Sequence, residues 1–208
     1  QISRGCGDRS RLGGGIEGFN VDLAEEIARR LGRPLRIDAV GFAGLIPALN
    51  AGRYDFISAP TTVTAQRSES LLFSEPYLDT NMQFVVRRGA VLTDLAQLRG
   101  QTISVNKGSL DETWARQNEQ RYGFRVSAFD TQADAIQDVI AGRSFANLAG
   151  NTALAVAVRR LPTLQLAIEI ETGEYWSIPV RWDSRELRDQ SDLAIECMKR
   201  DGFMARLV

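Results

Sequence analysis

The sequence predicts an α/β protein made of two similar runs in tandem, each a mostly parallel sheet flanked by helices. Three observations carry this. Strand-like alternation and helix-like periodicity take turns along nearly the whole chain. The series occurs twice, and one further helical pattern is left over at the C-terminal end. Two strand-like passages, near 82–89 and 175–181, fall where the chain passes between the two runs, as a two-strand hinge requires. In open α/β sheets ligands bind beyond the carboxyl ends of strands, so two such lobes make the cleft between them the expected site.

In chain order, residues 1–15 are rich in Gly and Arg and lack periodicity apart from a short strand expected around Ser3–Gly7. From Phe19 the pattern is helical, with Leu23, Ile27 and Leu31 on one face and Glu25, Glu26, Arg29 and Arg30 on the other. Gly32 ends this helix and Pro34 prevents its return. PLRIDAV reads as a strand, GLIPALNAG as a short helix and YDFISA as a second strand. MQFVVRRG is a strand, DLAQLRG a short helix and QTISVNKG a strand. SLDETWARQNEQRYG is a helix with Ser109 at its N-cap and Glu112 three residues on, the spacing of a capping box. FRVSAFD, TQADAIQDVIAG, FANLAG and NTALAVAVRRL continue as strand, helix, strand and helix. EYWSIPVRW is a strand, and the last helix runs from about Ser184 to Arg200.

Composition narrows the function. The 208 residues suit one or two domains, and hydrophobic and charged fractions of 44% and 25% are those of an ordinary globular chain rather than a disordered one. A net charge of −1 argues against a nucleic-acid surface. With no histidine, Ser-His-Asp and Cys-His catalysis and most zinc sites are excluded, and no cofactor or metal is expected. Cys6 and Cys197 form either one disulfide, if the chain ends meet, or two free thiols. No run of about 18 apolar residues marks a membrane-spanning helix. No leader is visible, and the start at Gln1 is expected of a mature or trimmed product.

One stretch stands out. SAPTTVTAQR, residues 58–67, follows the apolar pair Phe56–Ile57 and strings hydroxyls before an arginine. It is too polar for a core strand and too short for a linker, and a guanidinium is a planar, permanently charged, two-pronged donor suited to a carboxylate.

GFNVDLAEEIARRLG, followed by GFAGLIPALNAGRYDFISAPTTVTAQRSESLLFSEPY, resembles the polar amino-acid-binding proteins of bacterial ABC importers, the family 3 extracellular solute-binding proteins. LRGQTISVNKGS and AGRSFANLAG match later parts of the family pattern, and RDGFMARL matches its end loosely. The resemblance runs from about Ile16 and is most specific over 17–78. It implies a two-lobed clamshell of the periplasmic-binding-protein type. Lobe 1 would comprise 1–85 plus 180–208, and lobe 2 would comprise 88–178. It also implies a function: capture of a small carboxylate-bearing solute, delivery to an ABC permease in the inner membrane, and no catalysis. The protein would be a monomer in the periplasm, or lipid-anchored outside the cytoplasm.

The same resemblance assigns site residues. Arg67 would clamp the ligand carboxylate, and the alternative is a surface arginine paired with Glu69 or Glu75. Thr62 would give the carboxylate a backbone amide, and Pro60 would offer its carbonyl to the ligand ammonium. Phe42 would cover the ligand's side chain, or else pack in the core. Thr64 is expected to cap a helix. In lobe 2, Ser109 and Leu110 lie in the turn that closes over the carboxylate, with Asn106 and Lys107 beside them. Two departures bear on the ligand. Asn151 stands where the family usually has an aspartate to pair with the ammonium, which weakens the hold on a cation. The first loop offers Asp8, Arg9 and Arg11 but no aromatic. A dicarboxylate or an opine-like conjugate therefore joins the amino acids as an expected ligand. Two rival readings remain: a sensor domain of a receptor, and a dehydratase-like enzyme on the same fold, with Glu171 or Glu174 as general acid.

Overall fold

The computed structural model describes residues 18–207. In chain order its elements are α1 (Phe19–Leu31), α2 (Leu45–Asn50), α3 (Ala65–Ser68), β1 (Leu71–Phe73) and β2 (Leu78–Arg87). Next come β3 (Thr102–Asn106), α4 (Leu110–Tyr122), β4 (Arg125–Phe129), α5 (Gln132–Ile140) and β5 (Ala146–Gly150). The chain ends with α6 (Asn151–Arg160), β6 (Leu164–Trp176), β7 (Pro179–Arg181), α7 (Arg185–Arg200) and α8 (Phe203–Leu207). Contacts divide the chain into two compact units. Within the described residues, unit 1 comprises 18–39, 47–78 and 175–207, and unit 2 comprises 40–46 and 79–174. The segment 40–46, which carries Phe42, thus belongs by contact to unit 2.

Unit 1 is built on the apolar faces of α1 and α7. Leu23 and Ile27 of α1 meet Ala194, Ile195 and Met198 of α7, with Trp176, Ile178 and Val180 beside them. Leu23, Ile27 and Ile195 are wholly buried, and each contributes about 1.5–3 kcal/mol. α1 stops where its sequence says it should: Gly32 sits at φ 64 and its amide caps the last turn. The polar side of α1 holds one buried charge. Glu26 is 7% exposed and accepts from Arg29 Nε at 2.8 Å and Arg30 Nε at 2.6 Å, while Arg30 also reaches Asp201 at 2.6 Å. Burial works to raise the pKa values of both carboxyls, but hydrogen bonds and the attraction of the guanidinium groups outweigh it and hold both below the usual range.

The strands of unit 1 depart from the sequence expectation. Among the described residues its named ladder is the antiparallel pair β1–β7; the strand expected around Ser3–Gly7 lies outside them. YDFISA contributes only the bridge Phe56–Val180, although the chain beyond it stays alongside 175–180. PLRIDAV has the alternation of a strand but pairs with no strand among the described residues.

Unit 2 holds a five-stranded sheet in the order β4-β3-β5-β2-β6. β3 runs parallel to β4 and β5, and β2 runs antiparallel to β5, so the sheet is mixed. Phe84, Ile103, Val105 and Leu148 are wholly buried between this sheet and its helices. The register Met82–Gly150 brings the carboxyl end of β5 and the amino end of β2 together. The carboxyl end of β3 opens on the same edge, because β3 and β5 are parallel. The sequence pattern does not mark most of β6 as a strand; it lies at the edge of the sheet, where the demand for apolar residues is weak.

Candidate functional site

In unit 1, residues 61–63 lie antiparallel to 175–177. Val63 N–H donates to the Tyr175 carbonyl, Ser177 N–H donates to the Thr61 carbonyl, and Thr62 bridges Trp176. Thr62 is therefore the residue of a non-hydrogen-bonded pair, whose own N–H and C=O point away from the partner strand. Its carbonyl accepts from Arg67 Nη1 at 2.8 Å. Its N–H has no partner among the described residues, although Thr62 is only 8% exposed. Arg67 can approach because α3 is a single turn: Thr64 caps it, its hydroxyl accepting from Arg67 N–H at 3.2 Å. Thr64 thus has the capping role expected of it. With four residues α3 is too short to add a helix field, so the anion-binding groups are the guanidinium and the Thr62 amide. Pro60 is half-buried, and its carbonyl is unpaired among the described residues.

In unit 2 the candidates gather at the carboxyl ends of β3 and β5. Ser109 caps α4, its hydroxyl accepting from Glu112 N–H at 3.0 Å. The box predicted there closes one residue early, because the Glu112 carboxylate takes Gly108 N–H at 2.8 Å. Leu110 turns its side chain toward the core, while its N–H has no partner among the described residues. Lys107 lies 3.8 Å from Asp130. Gly108 sits at φ +77 against the turn Phe42–Gly44; a Cβ there would lie 2.9 Å from Ala43 Cα. Half-buried Phe42 is thereby held beside the β3–α4 turn.

Asn151 opens α6, and its amide is committed. Its Oδ1 accepts from Asn81 N–H at 3.3 Å and Thr152 N–H at 2.8 Å, and its Nδ2 donates to Glu169 Oε1 at 2.9 Å. Sequence reasoning misses Glu169 and Asn81. Only the Asn-for-Asp departure at 151 points to this corner, and nothing in the order of residues ties 151 to 169. Asp8, Arg9, Arg11 and Cys6 lie outside the described residues. A groove of about 560 Å³ on unit 2, between Lys107, Arg116, Asp130 and Arg143, contains none of Ser109, Leu110 or Asn151. Two of its arginines are already paired, Arg116 with Glu112 and Arg143 with Asp138. Among the described residues no Cys, Asp and Glu side chains cluster to hold a metal, and no helix is long and apolar enough to cross a membrane.

An α/β fold in two units is also the fold of the solute-binding proteins with which the chain superposes. The chain belongs to the bacterial extracellular solute-binding proteins, family 3, whose family model matches residues 11–208. It is 30% identical over 197 residues to a putative amino-acid ABC transporter-binding protein of Vibrio harveyi, covering 92% of this chain and 78% of that one. A solved ancestral arginine-binding protein bound to arginine superposes with a TM-score of 0.85 at 32% identity, over 91% of this chain and 85% of that one. A membrane-bound lytic murein transglycosylase F of Desulfosudis oleivorans is 28% identical over 198 residues, but these cover 91% of this chain and only 43% of that one.

Proposed function

We propose that the chain is the substrate-binding protein of an ABC importer and takes an amino acid by its α-carboxylate. The reading rests most on one observation: Thr62 turns its N–H, unpaired among the described residues, away from its strand partner, while its carbonyl holds the Arg67 guanidinium at 2.8 Å. A carboxylate there accepts from both, and the charge-assisted bonds are the strong kind. The Pro60 carbonyl accepts from the ligand ammonium, the Leu110 N–H and Ser109 add donors from unit 2, and Phe42 covers the ligand's side chain. Strands β2 and β6 each run from one unit into the other, and ligand shifts the protein's equilibrium toward its liganded form. An inner-membrane permease recognises that form. One chain carries both sets of residues, so a monomer in the periplasm suffices. The protein performs no chemistry; the relative named as a binding protein shares most of its length with this chain, and the transglycosylase shares less than half of its own.

The test is a thermal-shift screen of amino acids, opines and dicarboxylates, since a ligand that binds only the folded state raises the melting temperature by mass action. An upward shift with L-arginine, L-glutamine or another amino acid supports the reading. Shifts confined to dicarboxylates or opines would move the ligand to those classes, and no shift with any of them would refute the carboxylate site.

A further inference from the structure

We infer that Glu169 supplies the negative charge against the α-ammonium of the ligand, in place of a carboxylate at position 151; this rests on the amino-acid reading above. Two amides aim at one oxygen of Glu169: Asn151 Nδ2 and Asn81 Nδ2 each donate to Oε1 at 2.9 Å. Neither amide can be turned round. Asn151 Oδ1 is fixed by the N–H groups of Asn81 and Thr152, and Asn81 Oδ1 by the N–H of Thr172 at 3.1 Å. Backbone donors need the amide oxygens, so the NH2 groups must face Glu169.

Both donors are neutral, so they orient the carboxylate without cancelling its charge. No ion pair among the described residues involves Glu169, and its second oxygen accepts from none of them. The neighbouring acids of unit 2 are differently placed: Glu112 is engaged by Gly108 N–H and Arg116, and Asp130 by Lys107. Glu169 is exposed and lies where the amino end of β2 meets the carboxyl end of β5, the edge of the sheet that carries Asn151. A carboxylate fixed by two amides, with one oxygen unengaged and no cation paired to it among the described residues, is prepared for a cationic ligand group.

The arrangement also accounts for an amide at 151. A carboxylate there would lie against Glu169, and two like charges in contact cannot both stay ionised without penalty. Asparagine instead donates to the acid it has ceded the charge to.

The test is calorimetric titration of the wild type, E169Q and the swapped variant N151D/E169Q. The probes are L-arginine and L-glutamine, each beside its des-amino counterpart, 5-guanidinopentanoate and glutaramate. In E169Q the introduced amide keeps a carbonyl oxygen that accepts from both asparagines, so the fold is kept, and unchanged melting of the unliganded protein checks this. E169Q is expected to weaken both amino acids by about tenfold or more, the loss of one charge-assisted contact. The des-amino probes are expected to bind it as they bind the wild type, and N151D/E169Q to regain amino-acid affinity. An unchanged E169Q, or equal losses for amino and des-amino probes, would overturn the inference while leaving the carboxylate site standing. A wild type that binds neither amino acid would instead refute the reading on which the inference rests.

Discussion

The Arg67 guanidinium and the Thr62 carbonyl are joined by a hydrogen bond of 2.8 Å, which places the cation on the side of the strand to which the Thr62 amide also turns. The bond fixes the arginine before any ligand arrives, so a carboxylate need not order a long side chain on binding. The hydroxyls around it divide their work. Thr64 caps the single turn of α3, Thr61 donates to the Ala59 carbonyl at 2.8 Å, and Thr62 acts through its backbone. The string of hydroxyls is thus mostly scaffolding for one guanidinium and one amide.

Gly108 and Gly100 make a matched pair for testing the seat of Phe42. Both have positive φ, +77 and +76, but a Cβ on Gly100 meets open space whereas one on Gly108 would meet Ala43 Cα at 2.9 Å. Gly100→Ala is expected to cost about 1 kcal/mol from backbone strain alone. Gly108→Ala is expected to cost about 2–3 kcal/mol and to weaken ligand binding as the turn bearing Phe42 is displaced. Urea unfolding of both variants measures the difference; equal losses would mean that the contact with Ala43 carries no energy.

Ser109 has a structural duty that is separable from any contact with ligand. Its hydroxyl caps α4 through Glu112 N–H, so Ser109→Ala is expected to lose about 1 kcal/mol of stability without ligand present. Ser109→Asp keeps the cap but sets a negative charge beside the proposed carboxylate position. It is expected to hold its melting temperature within a few degrees and to lose affinity. Retained affinity in the aspartate variant would exclude Ser109 from the ligand's surroundings.

The Glu26–Arg30–Asp201 group gives unit 1 an acid sensitivity of known sign. Both carboxyl pKa values are depressed in the folded state, from ordinary values of 4.5 for Glu and 3.8 for Asp. Their contribution is therefore fully present above those values and is lost as pH falls through the lower, folded ones. Glu26→Gln removes one of the two carboxylates on Arg30, which keeps Asp201, and is expected to cost about 1.5–3 kcal/mol at neutral pH. The gap to wild type should narrow on acidification from about pH 5 to pH 3, followed by denaturant unfolding at each pH. A constant gap would show that the carboxylate's charge is not what stabilises the site.

Much of unit 2 is legible in the sequence because its signals are local. Ser109 announces α4, Gly and Pro punctuate the helices, and the short apolar runs of β3 and β5 sit where they are expected. Unit 1 is harder. Its strands are short and its antiparallel pairings join residues far apart in sequence, Leu71 with Arg181 and Phe56 with Val180, which no local window contains. Of the proposed site, Arg67, Thr62 and Ser109 follow from the resemblance of their segments to the solute-binding family. Glu169 does not, because its meaning comes from hydrogen bonds to Asn81 and Asn151, 88 and 18 residues away, and a lone glutamate on an alternating strand looks like a solvated face. Phe42 lies by contact with unit 2, although its neighbours in sequence continue into unit 1.

The most direct measurement is calorimetric titration of Arg67→Ala and Arg67→Lys with L-arginine and L-glutamine, alongside melting of the unliganded variants. Arg67→Ala should lower affinity by about a hundredfold or more, since it removes a charge-assisted, two-pronged contact, while the empty protein melts within a few degrees of wild type. Arg67→Lys should recover only part of the loss, because an ammonium keeps the charge without the planar fork. Wild-type affinity in Arg67→Ala would contradict the account outright, for then the carboxylate is held somewhere else.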